Sequence, residues 1–464
     1  MKKVISSPIF FIFLICLTYL PALGVFFSGD DWFHLRITQI NNITEFSNFF
    51  KFAVSEQSGA FYRPIPTQFF FFSFQSIFGL NPFFYHLFVL FNFGFSLYLV
   101  WKLSGILFDK TASWLILIIY ALSATHFTRV YFLSAFQEIA MVNFLLLALI
   151  YFLQDRKWLP LVFFTLALGS KETAVVFPGI LALVLIYQGK FNIWKILPFA
   201  FIDALFLGAY LLSFGVKTED SYWWDFSPKK AINTLGWYVL WSLGAPESLV
   251  DYVSSGLRIV PRFFSQFPFF SRAILITLLL LIIELLVIAF LNFSKIKKKE
   301  IALGGGFFII ALGPLIFLPW HKFTLELTLP LIGFAVVIAY IIRPANTLFR
   351  SVFIATFILV NMLTLVFSYQ TNYVTGRAAL SERVFEYIKL NYPEEPNKPF
   401  VFTNNTESSD EWGVSRQISQ ATSNSDLFKV LYRNRYQKVY FEDLDDVFPK
   451  EDESVWLDSL IFLK

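Results

Sequence analysis

The chain has 464 residues, of which 56% are hydrophobic, 20% aromatic and 15% charged, with a net charge of +4. A soluble domain is about a quarter charged, so a wholly soluble enzyme is excluded, as is a disordered chain, which needs low hydrophobicity and high charge. The single cysteine, Cys16, excludes a disulfide framework. Nucleic-acid binding has no basic patch to rest on, because the basic cluster at 295–299 lies between two apolar runs.

A helix crosses the bilayer core in about 20 apolar residues. Runs of that kind fall at roughly 8–27, 82–101, 111–127, 132–153, 158–170, 172–188, 194–214, 271–293, 301–318, 324–342 and 347–368, which predicts about eleven spans. Basic residues in short loops orient such spans. With Lys2 and Lys3 in the cytoplasm, the groups Lys102/Lys110, Arg156/Lys157, Lys190/Lys195, Lys295/Lys297/Lys298/Lys299 and Arg343/Arg350 all fall on the cytoplasmic side. The C-terminus is then extracytoplasmic. In a prokaryote the host membrane would be the plasma membrane. The first run is long for a signal peptide and lacks a clean A-x-A site near Ala22, so an uncleaved helix is expected.

Three segments lie outside the membrane in this topology: 28–81, 215–270 and 370–464. Ser227-Pro228 is an N-cap and N1 pair, and 231–243 reads as an interfacial amphipathic helix with Trp237 and Trp241 one turn apart. Residues 44–54, with Phe46, Phe49, Phe50 and Phe52, read similarly. The tail predicts a small α/β domain, with helices over 380–390 and 426–433 and strands over 399–403, 438–441 and within 456–463. The expected fold is an α-helical polytopic membrane protein, 1–369, with an extracytoplasmic α/β domain, 370–464.

Outer polar residues gather at helix ends. Asp30 and Asp31 follow the first span, and His34 lies one turn beyond Asp31. Such a carboxylate pair can act as general base, hold a divalent cation, or simply cap a helix. Tyr62-Arg63-Pro64 offers a guanidinium fork for phosphate or carboxylate; the plain alternative is an interfacial arginine. Glu138 lies two turns into its span from His126-Phe127-Thr128-Arg129 and needs a partner, with Arg129 and Lys171 as candidates. Ser170-Lys171-Glu172-Thr173 breaks an apolar stretch, either as a phosphate or metal site or as a charged hairpin tip. Trp320-His321-Lys322 reads as an interfacial anchor, and Asp203, Glu284 and Glu326 are further membrane carboxylates.

Taken together, Asp30-Asp31, Tyr62-Arg63-Pro64 and Ser170-Lys171-Glu172 resemble the GT-C superfamily of integral-membrane glycosyltransferases, closest to the protein O-mannosyltransferase, TMTC and aminoarabinose-transferase branches. The likeness covers about the first 200 residues. No β-trefoil MIR domain or TPR repeat is recognised. The resemblance implies transfer of a sugar, such as mannose, from a polyprenyl- or dolichyl-phosphate carrier to a hydroxyl acceptor on the outer face, with inversion. It implies Asp30 or Asp31 as base, Asp30 by slight preference, and Arg63, Arg129 and Lys171 as cations for the phosphate. His34, Tyr62, Glu138 and Glu172 would line the substrate site. Members differ in metal use, so a divalent cation, Mg²⁺ or Mn²⁺, on Asp30 and Asp31 stays open. Protein, lipid and glycan acceptors all stay open. The alternative is a transporter or lipid-sugar flippase, against which stand the one-sided charges and the lack of an internal repeat. A scaffold acting through its tail is a third reading. Asn42-Ile43-Thr44 and Asn404-Asn405-Thr406 match glycosylation sequons.

Overall fold

The computed structural model describes residues 7–59, 61–215, 222–254, 256, 258–404 and 413–463. Lys2, Lys3, Asn405 and Thr406 lie outside the described residues. The chain is a mostly helical, multi-pass membrane protein, with one small sheet among the described residues.

Among the described residues, six helices are long and apolar enough to cross a membrane: Pro82–Leu107, Leu133–Leu153, Ile193–Phe214, Pro268–Leu291, Lys298–Ile316 and Thr347–Asn391. A seventh crossing results if Lys110–Ala121 and Ala124–Tyr131, bent by 53°, count as one. The remaining expected runs fall on four shorter apolar helices, Pro8–Thr18, Leu159–Leu168, Glu172–Tyr187 and Pro330–Ile342. Length therefore supports six or seven crossings where hydropathy predicts about eleven. Local breaks shorten the rest. The first run divides into Pro8–Thr18 and a tight turn Leu20–Gly24. The run at 324–342 opens with a tight turn, Thr324–Leu327, before Pro330 starts the helix.

The chain divides into two compact units. The first comprises Met1–Leu20, Val89–Val130 and Gln137–Gln370. Within it, Lys298–Ile316 packs closely on Pro330–Ile342 through two glycines. A Cβ on Gly304 would lie 2.7 Å from the Gly333 carbonyl, and one on Gly333 would lie 2.5 Å from that of Gly304. Small residues let membrane helices approach this closely. The helix Pro228–Ser242 follows Ser227 and Pro228 as expected, burying Trp237, Tyr238 and Trp241 while leaving Ile232 70% exposed. In the span Pro268–Leu291, Glu284 accepts a hydrogen bond from Thr356 Oγ1 at 3.0 Å.

The second unit comprises Pro21–Phe88, Tyr131–Phe136 and Thr371–Lys464. Its sheet is parallel, with β1 (Phe400–Thr403) central between β2 (Val439–Phe441) and β3 (Val455–Asp458). Phe400 pairs with Val439 on one side and Val455 on the other. Phe402 stacks on Phe441, and Phe428 covers Phe400 and Phe402. The tail's first helix runs longer than expected, over Tyr373–Asn391. The third strand is shorter than 456–463, because the Asp458 side chain accepts from Leu460 N and starts a new turn. The sequence reading missed the helix Val414–Thr422. Its N-terminus is capped from afar by Asp443, which accepts from Ser415 Oγ at 2.6 Å and Arg416 N at 2.9 Å. The segment expected to be amphipathic at 44–54 forms only the short helix Ile43–Asn48, capped by Asn42.

The first loop joins the tail within this unit. Arg36 pairs with Asp426 at 2.7 Å, Arg435 pairs with Glu45 at 2.9 Å and Glu56 at 3.0 Å, and Gln39 donates to Val430 O at 3.0 Å. Trp32 Nε1 donates to Ser381 Oγ at 2.7 Å.

Candidate functional site

The acidic pair opens the helix Asp30–Ile37. Gly29 before it has φ 51° and ψ −125°, a conformation that L side chains rarely adopt. That backbone aims the Gly29 N–H at Ala421 O, 2.8 Å away. Both acids fall in the first helical turn, where the helix dipole favours negative charge.

The two carboxylates differ sharply. Asp31 is 1% exposed and fully engaged. One oxygen accepts from Ser134 N at 2.8 Å and Ser134 Oγ at 2.6 Å, and the other accepts from Ser28 N at 3.1 Å. Burial pushes its carboxyl up to about 7, against the pull of those hydrogen bonds. Asp30 is exposed and makes no hydrogen bond or ion pair among the described residues. Protein nevertheless crowds it, so burial raises its pKa while the Arg377 and Arg63 charges lower it.

Ser134 links Asp31 to His34, whose Nδ1 lies 3.1 Å from Ser134 Oγ. The serine hydroxyl has one proton and gives it to Asp31, so His34 must donate through Nδ1–H. The order histidine, serine, aspartate leaves no activated serine nucleophile, since the serine proton already points at a carboxylate. Burial and then the Arg63 charge hold the imidazole down at about 3, so it is neutral.

Arg63 immediately precedes the wide helical turn Pro64–Phe69, and its guanidinium lies 4.3 Å from the centre of the Phe61 ring. Tyr62 stacks on Phe52 at 3.7 Å and donates to Phe50 O at 3.3 Å, which fixes the loop backbone.

The other four candidates belong to the first unit. Lys171 is 3% exposed, lies 3.0 and 2.9 Å from the two Glu326 oxygens, and also pairs with Glu138. Glu138 thus takes Lys171 rather than Arg129 as its ion-pair partner. His321 Nε2 lies 3.6 Å from Glu326. Lys171 is therefore a buried ion-pair centre rather than an exposed hairpin tip. Arg129 is completely buried, donating to Leu325 O at 3.1 Å, Thr125 Oγ1 at 3.0 Å, His126 Nδ1 at 3.1 Å and Thr328 Oγ1. Glu172 starts the tight turn Glu172–Val176 and is half-buried.

The structure thus groups Asp30, Asp31, His34, Tyr62 and Arg63 in one unit and Arg129, Glu138, Lys171 and Glu172 in the other. Ser134, Arg377 and Gln420 escaped the sequence reading, because only the fold brings them to the acidic pair. Glu326 was visible only as one more membrane carboxylate. No group of three or more His, Cys, Asp or Glu side chains gathers to hold a metal among the described residues. Asp31 already spends both oxygens on three donors, so the pair offers no ready-made cage, and no step below runs through a metal. Comparison with family models, curated proteins and solved structures finds no match.

Proposed function

We propose that the protein is a glycosyltransferase that moves a sugar from a polyprenyl- or dolichyl-phosphate carrier to a hydroxyl acceptor at the extracytoplasmic face. The proposal keeps the eleven-span topology with the N-terminus in the cytoplasm. One observation carries the reading: an unbonded, accessible carboxylate, Asp30, sits beside a fully bonded partner, Asp31, in the field of two guanidiniums. A general base must keep its oxygens open to the substrate. In the reaction Asp30 takes the acceptor's hydroxyl proton as that oxygen attacks the anomeric carbon from the face opposite the phosphate. The bond from the anomeric carbon to the phosphate oxygen breaks, and its electron pair leaves with the lipid phosphate. Arg63 stabilises the charge that develops there. Asp31, Ser134 and neutral His34 hold the helix that presents Asp30. Arg129 and Lys171 spend their donors on protein partners and serve as packing centres of the membrane unit.

Purified protein supplied with a polyprenyl-phosphate sugar and acceptor should transfer the sugar. Asp30→Asn should lower the rate at least about a hundredfold with an unchanged melting midpoint. Asp31→Asn should instead cost stability, about 1–3 kcal/mol, because its amide group would face donors. Full activity in Asp30→Asn would exclude Asp30 as the base.

A second reading has its own support. The buried Glu138–Lys171–Glu326 cluster is the kind of intramembrane ionisable group found on transport pathways. Movement of a sugar lipid across proteoliposomes without covalent transfer would favour it.

A further inference from the structure

One end of the first unit is built from four turns that lie far apart in the chain. Phe108 stands 6.1 Å from Tyr187 and 5.5 Å from Tyr340, ring centre to ring centre. Asp109, the next residue, pairs with Arg343 at 2.7 Å. Lys299 Nζ lies 4.9 Å from the centre of the Tyr187 ring. Residues 108–110, 187–190, 297–300 and 340–343 therefore share one rim, and they hold six basic residues against two acids. Both acids are engaged, Asp109 with Arg343 and Glu300 with Lys297 at 3.9 Å. Lys110, Lys190, Lys298 and Lys299 are exposed and have no carboxylate partner among the described residues.

An apolar cavity lies directly below this rim, and Phe108 belongs to both. Its deeper walls begin one helical turn further in. Val184 precedes Tyr187 by three residues, Leu303 follows Lys299 by four, and Val336 precedes Tyr340 by four, which is about 5–6 Å at 1.5 Å per residue. Leu107 and Phe108 are half-buried while every other lining residue is buried, so the mouth is at the rim. Ser104 carries the only hydroxyl of the lining and donates it to Val100 O at 2.7 Å. Walls without a free polar group offer water no hydrogen bonds. A hydrocarbon chain matches them, and the lysines above match an anion.

We propose that this end of the membrane unit is a binding site for an anionic phospholipid drawn from the bilayer, with acyl chain in the cavity and headgroup phosphate on the lysines of the rim. The two halves of the site fit the two halves of one molecule. A neutral lipid would leave the rim unmatched, and a free anion would leave the cavity unmatched. The site requires neither glycosyl transfer nor a particular orientation of the chain in the membrane.

The test uses the full chain in phosphatidylcholine nanodiscs doped with phosphatidylglycerol that carries a photoactivatable diazirine in its acyl chain. Illumination should label Leu303 and Phe307, which are buried from the surrounding lipid, as mapped by peptide mass spectrometry. Unlabelled phosphatidylglycerol should compete at least about tenfold better than phosphatidylcholine. The triple variant Lys190→Gln, Lys298→Gln, Lys299→Gln changes only exposed positions. It should lower the labelling about tenfold or more at an unchanged melting midpoint. Leu107→Trp, at the half-buried mouth, should suppress labelling of Leu303 and Phe307 with the rim charge intact. Equal labelling of these two residues by a phosphatidylcholine probe, or labelling undiminished in both variants, overturns the assignment. Lysine-dependent binding of a polyglutamate peptide without labelling of Leu303 and Phe307 would also overturn it, and would give the rim to an acidic protein segment.

Discussion

Gly29 shows how a single backbone position prepares a site. At φ 51° and ψ −125° it turns the chain so that Asp30 begins a helix while the Gly29 N–H bonds Ala421. An added Cβ would meet Gln420 O at 3.5 Å, ordinary contact, so the penalty of a side chain is conformational and not steric. Gly29→Ala should cost about 1–3 kcal/mol, read as a lower melting midpoint, and should reduce activity by turning Asp30. His34 gives a pH signature. Its folded pKa, about 3, lies below the ordinary value of 6.5, so the unfolded chain takes up a proton first as pH falls. The histidine's contribution to stability is intact above pH 6.5 and drains away as pH falls toward 3. Asp31, raised to about 7, acts in the opposite sense, losing stability as pH rises through the range between its unfolded and folded values. Comparison with His34→Gln isolates the histidine: the variant's melting midpoint should fall less than wild type's between pH 6.5 and 4, and parallel curves would contradict the neutral, buried imidazole.

Elements are set by apolar length and by punctuation. Each expected apolar run does form helix, because hydropathy reports which segments leave water. How long each helix runs unbroken is decided by its breaks, such as the tight turns Leu20–Gly24 and Thr324–Leu327. Helix pairing is decided by side-chain size at contacts. Gly304 and Gly333 face each other across Lys298–Ile316 and Pro330–Ile342, and each lacks room for a Cβ. Gly304→Ala should destabilise by about 1–3 kcal/mol, and Gly304→Leu should separate the pair, measurable as earlier thermal unfolding in detergent. The helix Val414–Thr422 was illegible for a related reason. Its cap, Asp443, is supplied by a residue beyond β2, so no local cap announces it in the sequence.

At the scale of the molecule, the second unit is assembled from three chain segments, Pro21–Phe88, Tyr131–Phe136 and Thr371–Lys464. Arg435 fastens the first of these to the last through Glu45, Glu56 and the Gln39 carbonyl. Arg435→Ala should therefore raise amide hydrogen exchange across 39–58, with little change in the spans Ile193–Phe214 and Pro268–Leu291. Uniform exchange in both proteins would show that the loop is ordered without the tail.

By itself, the sequence determined that this chain is a helical membrane protein with a small α/β tail, since apolar runs and alternating strands follow from water exclusion and local periodicity. It also marked Asp30, Asp31, His34 and Arg63 as unusual, because charge is scarce in such a chain. Only the tertiary structure decided which acid is open and which is spent. Ser134 and Ser28 satisfy Asp31, and Gln420 and Ala421 carry Arg377 and Gly29 to one place. Those partners lie far apart in the chain, and hydrogen bonds between distant segments leave no periodic trace in the sequence.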